Sequence, residues 1–171
     1  MASIARTVPR TPTTFGELLK CLPGLEGVRF TGDRQAALEL DELAGVRRRV
    51  WARKTWEALQ ALSGYARAKA DGRPVGSFLT YCRDGSAGPV ISAQRLVPGE
   101  SRQVQIYGKW VEQRMFPVPA SVHPQGAMLM LAHVRIDSRG AAPRLYYLDL
   151  TGHGQGVLVG RIGRHLTNTI T

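Results

Sequence analysis

The chain has 171 residues, of which 43% are hydrophobic, enough for one core that folds without a disulfide framework or a structural metal. Its formal net charge is +10, so the molecule attracts polyanions at neutral pH, and nucleic acid is the partner that this charge favours. No run approaches the ~18 apolar residues of a membrane span, and the N-terminus lacks a secretion signal, which favours a cytoplasmic protein without a membrane partner.

The basic surplus consists mostly of arginine, with 19 Arg against 4 Lys. GC-rich coding sequence produces such a bias without any selection for binding. A merely Arg-biased soluble protein, however, usually balances its charge with Asp and Glu, and this chain has only 13 acidic residues. The scarcity of carboxylates therefore favours a function for the charge.

The two cysteines, Cys21 and Cys82, have no second Cys or His at the spacing of metal ligands. We expect free thiols in a reducing compartment, with no metal and no cofactor.

The first 13 residues mix Pro, Arg and Thr without periodicity, which is typical of a flexible basic arm. Arg6 and Arg10 are its candidate phosphate contacts. Residues 14–171 are expected to form a single α+β domain, with a helical part at 14–72 and a sheet part at 76–165.

The helical part is predicted from caps and from apolar spacing. Thr13 or Thr14 caps a first short helix, and Asp33 caps the next. From there to about residue 70, helix formers are interrupted only by Gly45 and Gly64, which predicts two helices or one kinked helix. Apolar residues at three- and four-residue steps predict a core-facing stripe that comprises Leu43, Val46, Val50, Trp51, Ala58, Leu59, Leu62, Tyr65 and Ala66.

After Gly76 the pattern changes to short runs punctuated by Gly and Pro, which indicates antiparallel strands. Predicted strands lie at 78–82, 90–96 and 103–107, and residues 27–31 form a short strand or an extended linker. The run from Met115 to Pro119 is excluded from the centre of a sheet, because neither of its prolines can donate a ladder hydrogen bond.

The last third predicts an antiparallel meander of three strands, at 127–136, 144–150 and 157–162, which completes the sheet. The first of these runs is apolar on both faces near its start, so we expect it to be a central strand.

Five basic residues in the long helical segment form what we call the helix ridge: Arg47, Arg48, Arg49, Arg53 and Lys54. At 100° per residue Arg49 and Arg53 stack on one face, and Arg47 and Lys54 lie on the neighbouring one. Guanidinium groups bind phosphate oxygens in pairs, so the ridge can follow a nucleic-acid backbone without reading its sequence. The alternative is that these residues pair at i to i+4 spacing with carboxylates on a solvated face.

Trp51 and Trp56 lie beside the helix ridge and could stack on unpaired bases. Their position next to the apolar stripe favours packing in the core instead.

A second constellation of polar residues lies in the predicted meander: His133, Arg135, Tyr147, Asp149, His153, Arg161, Arg164 and His165. By alternation, His133 and Arg135 share a face of one strand, and Tyr147 and Asp149 share a face of the next. A suitable register would bring all four together.

Within this constellation the candidate catalytic residues are His133, Asp149, His153 and Arg161. Two imidazoles acting as base and acid, with a guanidinium stabilising the phosphorane, could cleave RNA without a metal. Alternatively, His133, Asp149 and His153 could hold a divalent ion. The simpler interpretation is a hydrogen-bonded core histidine and an exposed turn histidine.

Three functions remain open from the sequence. The first is nucleic-acid binding, to DNA or RNA, through the helix ridge and the N-terminal arm. The second is a small nuclease or defence effector with its site in the meander. The third is an adaptor whose basic surface docks an acidic protein partner.

Overall fold

A computed structural model describes residues 10–100, 102–106 and 108–166, with most of the helices in the first part of the chain and five successive strands in the last part. The helices are α1 (Phe15–Cys21), α2 (Arg34–Leu43), α3 (Arg48–Ala70), α4 (Phe78–Asp84), α5 (Arg102–Ile106) and α6 (Gly108–Gln113). The strands are β1 (Val28–Phe30), β2 (Leu96–Val97), β3 (Met115–Pro117), β4 (Ala127–Leu129), β5 (His133–Arg135), β6 (Arg144–Asp149) and β7 (Val157–Gly163). Within these residues, no helix combines the length and the hydropathy that spanning a bilayer requires.

Side-chain caps start the first two helices at the expected residues. Thr14 accepts a hydrogen bond from the Glu17 amide at 3.1 Å and begins α1. Asp33 accepts one from the Gln35 amide at 2.8 Å and begins α2. A tight turn that starts at Gly45 separates α2 from α3, so the predicted helical segment is two helices.

The larger sheet is mixed and has the strand order β1-β7-β6-β5-β2. Its first strand runs parallel to β7, with Val28 opposite Val157, and its other neighbours are antiparallel. The predicted meander is therefore confirmed as β5, β6 and β7, and the α+β class is confirmed with it. Strands β3 and β4 form a separate antiparallel pair.

The two faces of the five-stranded sheet meet different partners. One face joins helices α1 to α4 in the main core, which includes Trp51, Leu59, Leu62, Val134, Leu145, Tyr147 and Val159. The other face packs in a smaller cluster against the β3–β4 pair, with Phe116, Met130, Tyr146 and Leu158. Side chains that alternate along a strand are thus assigned to opposite sides of the molecule.

Two of the predicted strands are helices. The segment predicted at 78–82 is α4, which Ser77 caps by accepting from the Thr80 amide. Its end is set by Gly85 in the left-handed conformation, with φ of 70°, a typical helix C-terminus. Residues 103–106 of the segment predicted at 103–107 belong to α5, where Val104 is buried and Ile106 is exposed, and Tyr107 lies outside the described residues. A five-residue run is too short for its periodicity to separate the two structures.

The other two corrections concern strand length. Of the strand predicted at 90–96, only the last residue belongs to β2, and residues 93–95 form a helical turn. The long strand predicted at 127–136 is divided between β4 and β5, which belong to different sheets. The apolar sequence continues from β4 through residues 130–132 into β5, so nothing in the pattern marks the change of partner. Of the two pieces, β5 does lie inside the sheet, between β2 and β6.

The predicted apolar stripe begins too early. Leu43 is 46% exposed and Val46 is fully exposed, because they lie at the end of α2 and in the turn before α3 and do not share the phase of the later residues. At the N-terminus, Arg6 lies outside the described residues and Arg10 is exposed. Pro12 is buried and the Thr13 amide donates to Glu17, so this end of the predicted arm is held against α1.

Candidate nucleic-acid interface

Arg47 is the one member of the helix ridge that is paired with a carboxylate. Its Nε and Nη2 atoms donate to the same oxygen of Asp137, at 2.8 and 2.6 Å, and the Trp51 indole donates to that oxygen at 2.8 Å. Burial acts to raise the pKa of Asp137, but the hydrogen bonds from Trp51 and Arg47 outweigh it and lower this pKa to about 2. Arg47 therefore ties the start of α3 to the turn after β5, and Asp137 neutralises its charge.

The other ridge residues have their charges free. Arg48 donates from Nε to the backbone carbonyl of Asp41 at 2.7 Å, while Arg49 and Arg53 are exposed. Among the described residues, none of these three nor the half-buried Lys54 lies within ion-pair distance of a carboxylate. In particular, Arg53 does not pair with Glu57 at i+4.

The exposed side of α3 carries the basic surface beyond the ridge. Four of its exposed residues lie within about 40° of one line along the helix, and we call them the outer stripe: Arg49, Arg53, Gln60 and Arg67. From Arg49 to Arg67 the rise is about 27 Å at 1.5 Å per residue. Glu57 is the one acidic residue of α3 and stands at the margin of this line.

Trp51 and Trp56 are both buried, at 1% and 6% exposure. They pack in the main core, as their place beside the apolar stripe predicted, and offer no ring to an unpaired base.

On the far face of the sheet the structure brings together two of the candidate catalytic residues. The register pairs His133 with Tyr146, and Tyr146 with Arg161, so the three side chains project from one face. The rings of His133 and Tyr146 lie 4.7 Å apart between centroids.

Glu100 and Arg114 join His133, Tyr146 and Arg161 in what we call the sheet-face cluster. The Glu100 Oε1 accepts from Arg114 Nε at 2.7 Å and from the Tyr146 hydroxyl at 3.0 Å. The Glu100 and Arg114 side chains are 8% and 1% exposed, so this is a buried ion pair. His133 Nδ1 lies 3.9 Å from the same oxygen.

His133 has the properties of a core histidine. Its Nδ1 donates to the Leu131 carbonyl at 2.9 Å, which leaves Nε2 without a proton in the neutral ring. Burial lowers the pKa of His133 more than the Leu131 carbonyl and Glu100 raise it, so the imidazole is neutral at pH 7. Because its side chain is 8% exposed, it presents little surface to a substrate.

Asp149 and His153 lie elsewhere. Asp149 pairs with Val157 and faces the helices, where it accepts from the Tyr65 hydroxyl at 2.6 Å. His153 is exposed in the turn Thr151–His153. The register therefore separates His133 and Arg135 from Tyr147 and Asp149, and the three suggested metal ligands do not meet. Within the described part of the chain, no group of His, Cys, Asp or Glu is arranged to hold a metal ion.

Sequence reasoning missed Glu100 and Arg114, because no spacing rule connects a loop residue with a strand that follows some 30 positions later. It also missed Gln60 and Arg67, for which a signal existed. Residues at seven-residue steps from Arg53 repeat the same helical face, and both were visible in the sequence.

Comparison with known proteins supplies no relative from which a role could be transferred. No protein-family model, no curated protein and no solved structure matches this chain.

Proposed function

We propose that the protein binds nucleic acid by placing the N-terminal half of α3 against the phosphate backbone, with Arg48, Arg49 and Arg53 as the principal contacts. The observation that carries this proposal is that these three guanidinium groups have no carboxylate partner among the described residues, although the chain retains 13 acidic residues. A guanidinium that no carboxylate neutralises can bind phosphate oxygens in pairs.

The position of two of these arginines also favours a ligand. Arg48 and Arg49 occupy the first turn of α3, which contains no acidic residue and has no side-chain cap. The helix dipole disfavours cations at this end, at a cost of about 0.3–1 kcal/mol each. Their placement is thus unfavourable for the helix itself and is compensated when a bound phosphate neutralises them.

Phosphate contacts of this kind position a protein without reading bases. We therefore expect affinity that depends little on sequence and strongly on salt. Catalysis at the sheet-face cluster has less support, because His133, the candidate catalytic histidine within it, is buried and neutral.

The proposal is tested by the triple substitution Arg48→Glu, Arg49→Glu and Arg53→Glu. We expect its affinity for a fluorescein-labelled 16-nucleotide DNA to fall by about 100-fold or more at ~150 mM salt, measured by fluorescence anisotropy. The slope of log K against log salt should become less steep by about 2–3 units, because three phosphate contacts are lost.

The matched control reverses three exposed basic residues on other helices, Lys20, Arg34 and Arg83, and so makes the same change in net charge. We expect a loss of less than about 5-fold, from reduced long-range attraction alone. Equal losses in both triple variants would show that net charge, and not α3, is responsible. No measurable binding by the wild-type protein would end the proposal.

A further inference from the structure

A groove lies at the far end of the outer stripe, between the C-terminal half of α3 and the N-terminal ends of the parallel strands β1 and β7. The turn that joins β6 to β7 forms its third side. Its volume is about 650 Å³, within the ~300–1,000 Å³ range of small-molecule sites.

The groove combines an apolar floor with polar and cationic walls. Val28, Ala66 and Ala70 contribute aliphatic surface to the lining, and Arg29 and Arg67 contribute two cationic residues. Glu26 is the one acidic residue among the lining residues. Within the described residues, no hydrogen bond or ion pair occupies the side chain of either arginine. Ser121 and Gln155, which also line the groove, can form hydrogen bonds with a polar ring edge.

The shape of the groove depends on close backbone packing at Gly27. Its φ is +76°, and a β-carbon there would stand 2.7 Å from the Ala66 β-carbon. Glycine therefore lets β1 approach α3 closely, and its carbonyl accepts the Val157 amide at 2.8 Å.

Arg67 belongs both to the outer stripe and to the lining of the groove. A backbone that follows the stripe from Arg49 through Arg53 and Gln60 therefore arrives at the groove, where an apolar floor replaces exposed polar residues. An apolar floor contributes nothing to phosphate binding, but the face of a base can pack against it.

We propose that this groove receives an unpaired base of a single-stranded nucleic acid, with Arg29 and Arg67 on the flanking phosphates. The inference rests on the proposed function and specifies its substrate, because a base in a duplex reaches such a site only after it is flipped out of the stack. The protein then prefers single strands to duplexes of the same sequence.

The test uses fluorescence anisotropy with a labelled 16-nucleotide DNA, alone and annealed to its complement. Ala70→Leu fills the groove from an exposed helix position without a change of charge. We expect wild-type protein to bind the single strand at least about 10-fold more tightly than the duplex, and Ala70→Leu to remove about 10-fold of single-strand affinity with the duplex unaffected. Arg29→Glu, which lies off the stripe, should weaken single-strand binding by a similar factor.

Two matched controls complete the design: Ala36→Leu on α2, and Arg34→Glu, which reverses an exposed charge outside the groove. Both should leave the preference for single strands intact. If wild-type protein binds both DNA forms equally and Ala70→Leu changes neither, the groove inference is overturned while the proposed function stands. If neither form binds, both fail together.

Discussion

Asp137 forms several hydrogen bonds that stabilise the structure around the start of α3. One of its oxygens accepts from Arg47 and Trp51, and the other accepts from the amides of Ser138 and Arg139 at 2.8 and 3.2 Å. A single side chain thus joins α3 to the turn after β5. It also holds the core ring of Trp51 in one orientation.

Asp137→Asn should make the protein less stable at neutral pH and less sensitive to acid. The pKa of Asp137 is lowered from 3.8 to about 2 on folding, so its ionised form contributes up to about 2 kcal/mol, present above pH 4 and lost as the pH falls toward 2. Urea denaturation at pH 7, 5 and 3 should show the stability gap between wild type and variant narrowing at low pH. A gap that is constant with pH would contradict this account.

Glu100 is the corresponding residue of the sheet-face cluster. Glu100→Ala should lower the free energy of unfolding by about 3–5 kcal/mol, because it removes the buried partner of Arg114 and the acceptor of the Tyr146 hydroxyl. Urea denaturation measures the change. A loss below about 1 kcal/mol would show that this ion pair does not stabilise the fold. Nucleic-acid binding by the folded variant should be unchanged.

At the scale of the element, α3 serves the core and the surface with different faces. Its buried residues include Trp51, Leu59 and Leu62, while its exposed face carries the outer stripe. The first turn is the point of conflict, because guanidinium groups stand where the helix dipole favours carboxylates.

Arg49→Glu should therefore stabilise the protein by about 0.5–1 kcal/mol while it weakens nucleic-acid binding. Arg53→Glu is the matched variant one turn further on. It should weaken binding similarly but lower stability by a few tenths of a kcal/mol, since it places like charges at i and i+4 with Glu57. Thermal unfolding and anisotropy on the same samples separate the two effects. Equal stability changes in both variants would show that the dipole is not involved.

Helices that begin at caps were the predictable elements. Thr14 and Asp33 mark the starts of α1 and α2, and the turn at Gly45 divides α2 from α3, which is one of the two alternatives that the sequence left open. Ser77 and Gly85 mark the two ends of α4 in the same way, but the short apolar run between them also matches the pattern of a strand. Short helices are therefore predicted better from their capping residues than from the periodicity of their apolar residues.

The site was predictable only in part, because sequence neighbours and spatial neighbours differ. Arg48, Arg49 and Arg53 are close in sequence and remain exposed together. His133 and Asp149 depended on a register that alternation leaves open by one residue, and one residue reverses the face of a side chain. The partner of Arg47 is the distant Asp137, which no local pattern indicates.

At the scale of the whole molecule, the basic surplus is distributed and little of it is neutralised internally. Within the described residues the ion pairs of Arg47 and Arg114 are the only ones that an arginine forms. The net charge of +10 therefore attracts any polyanion, and at ~0.15 M salt this attraction extends over a Debye length of about 8 Å. We expect a polyanion that this charge attracts to make its specific contacts at the outer stripe and in the groove.

The parallel pairing of β1 with β7 has a consequence for biosynthesis. Thr31 and Val159 are hydrogen-bonded across this pair although they are 128 residues apart in sequence. During translation β1 therefore has no strand beside it at this edge until residues 157–163 have left the ribosome. Because residues at these two strands line the groove, a chain that ends before β7 lacks it. The base site that we propose therefore forms only once β1 and β7 have paired.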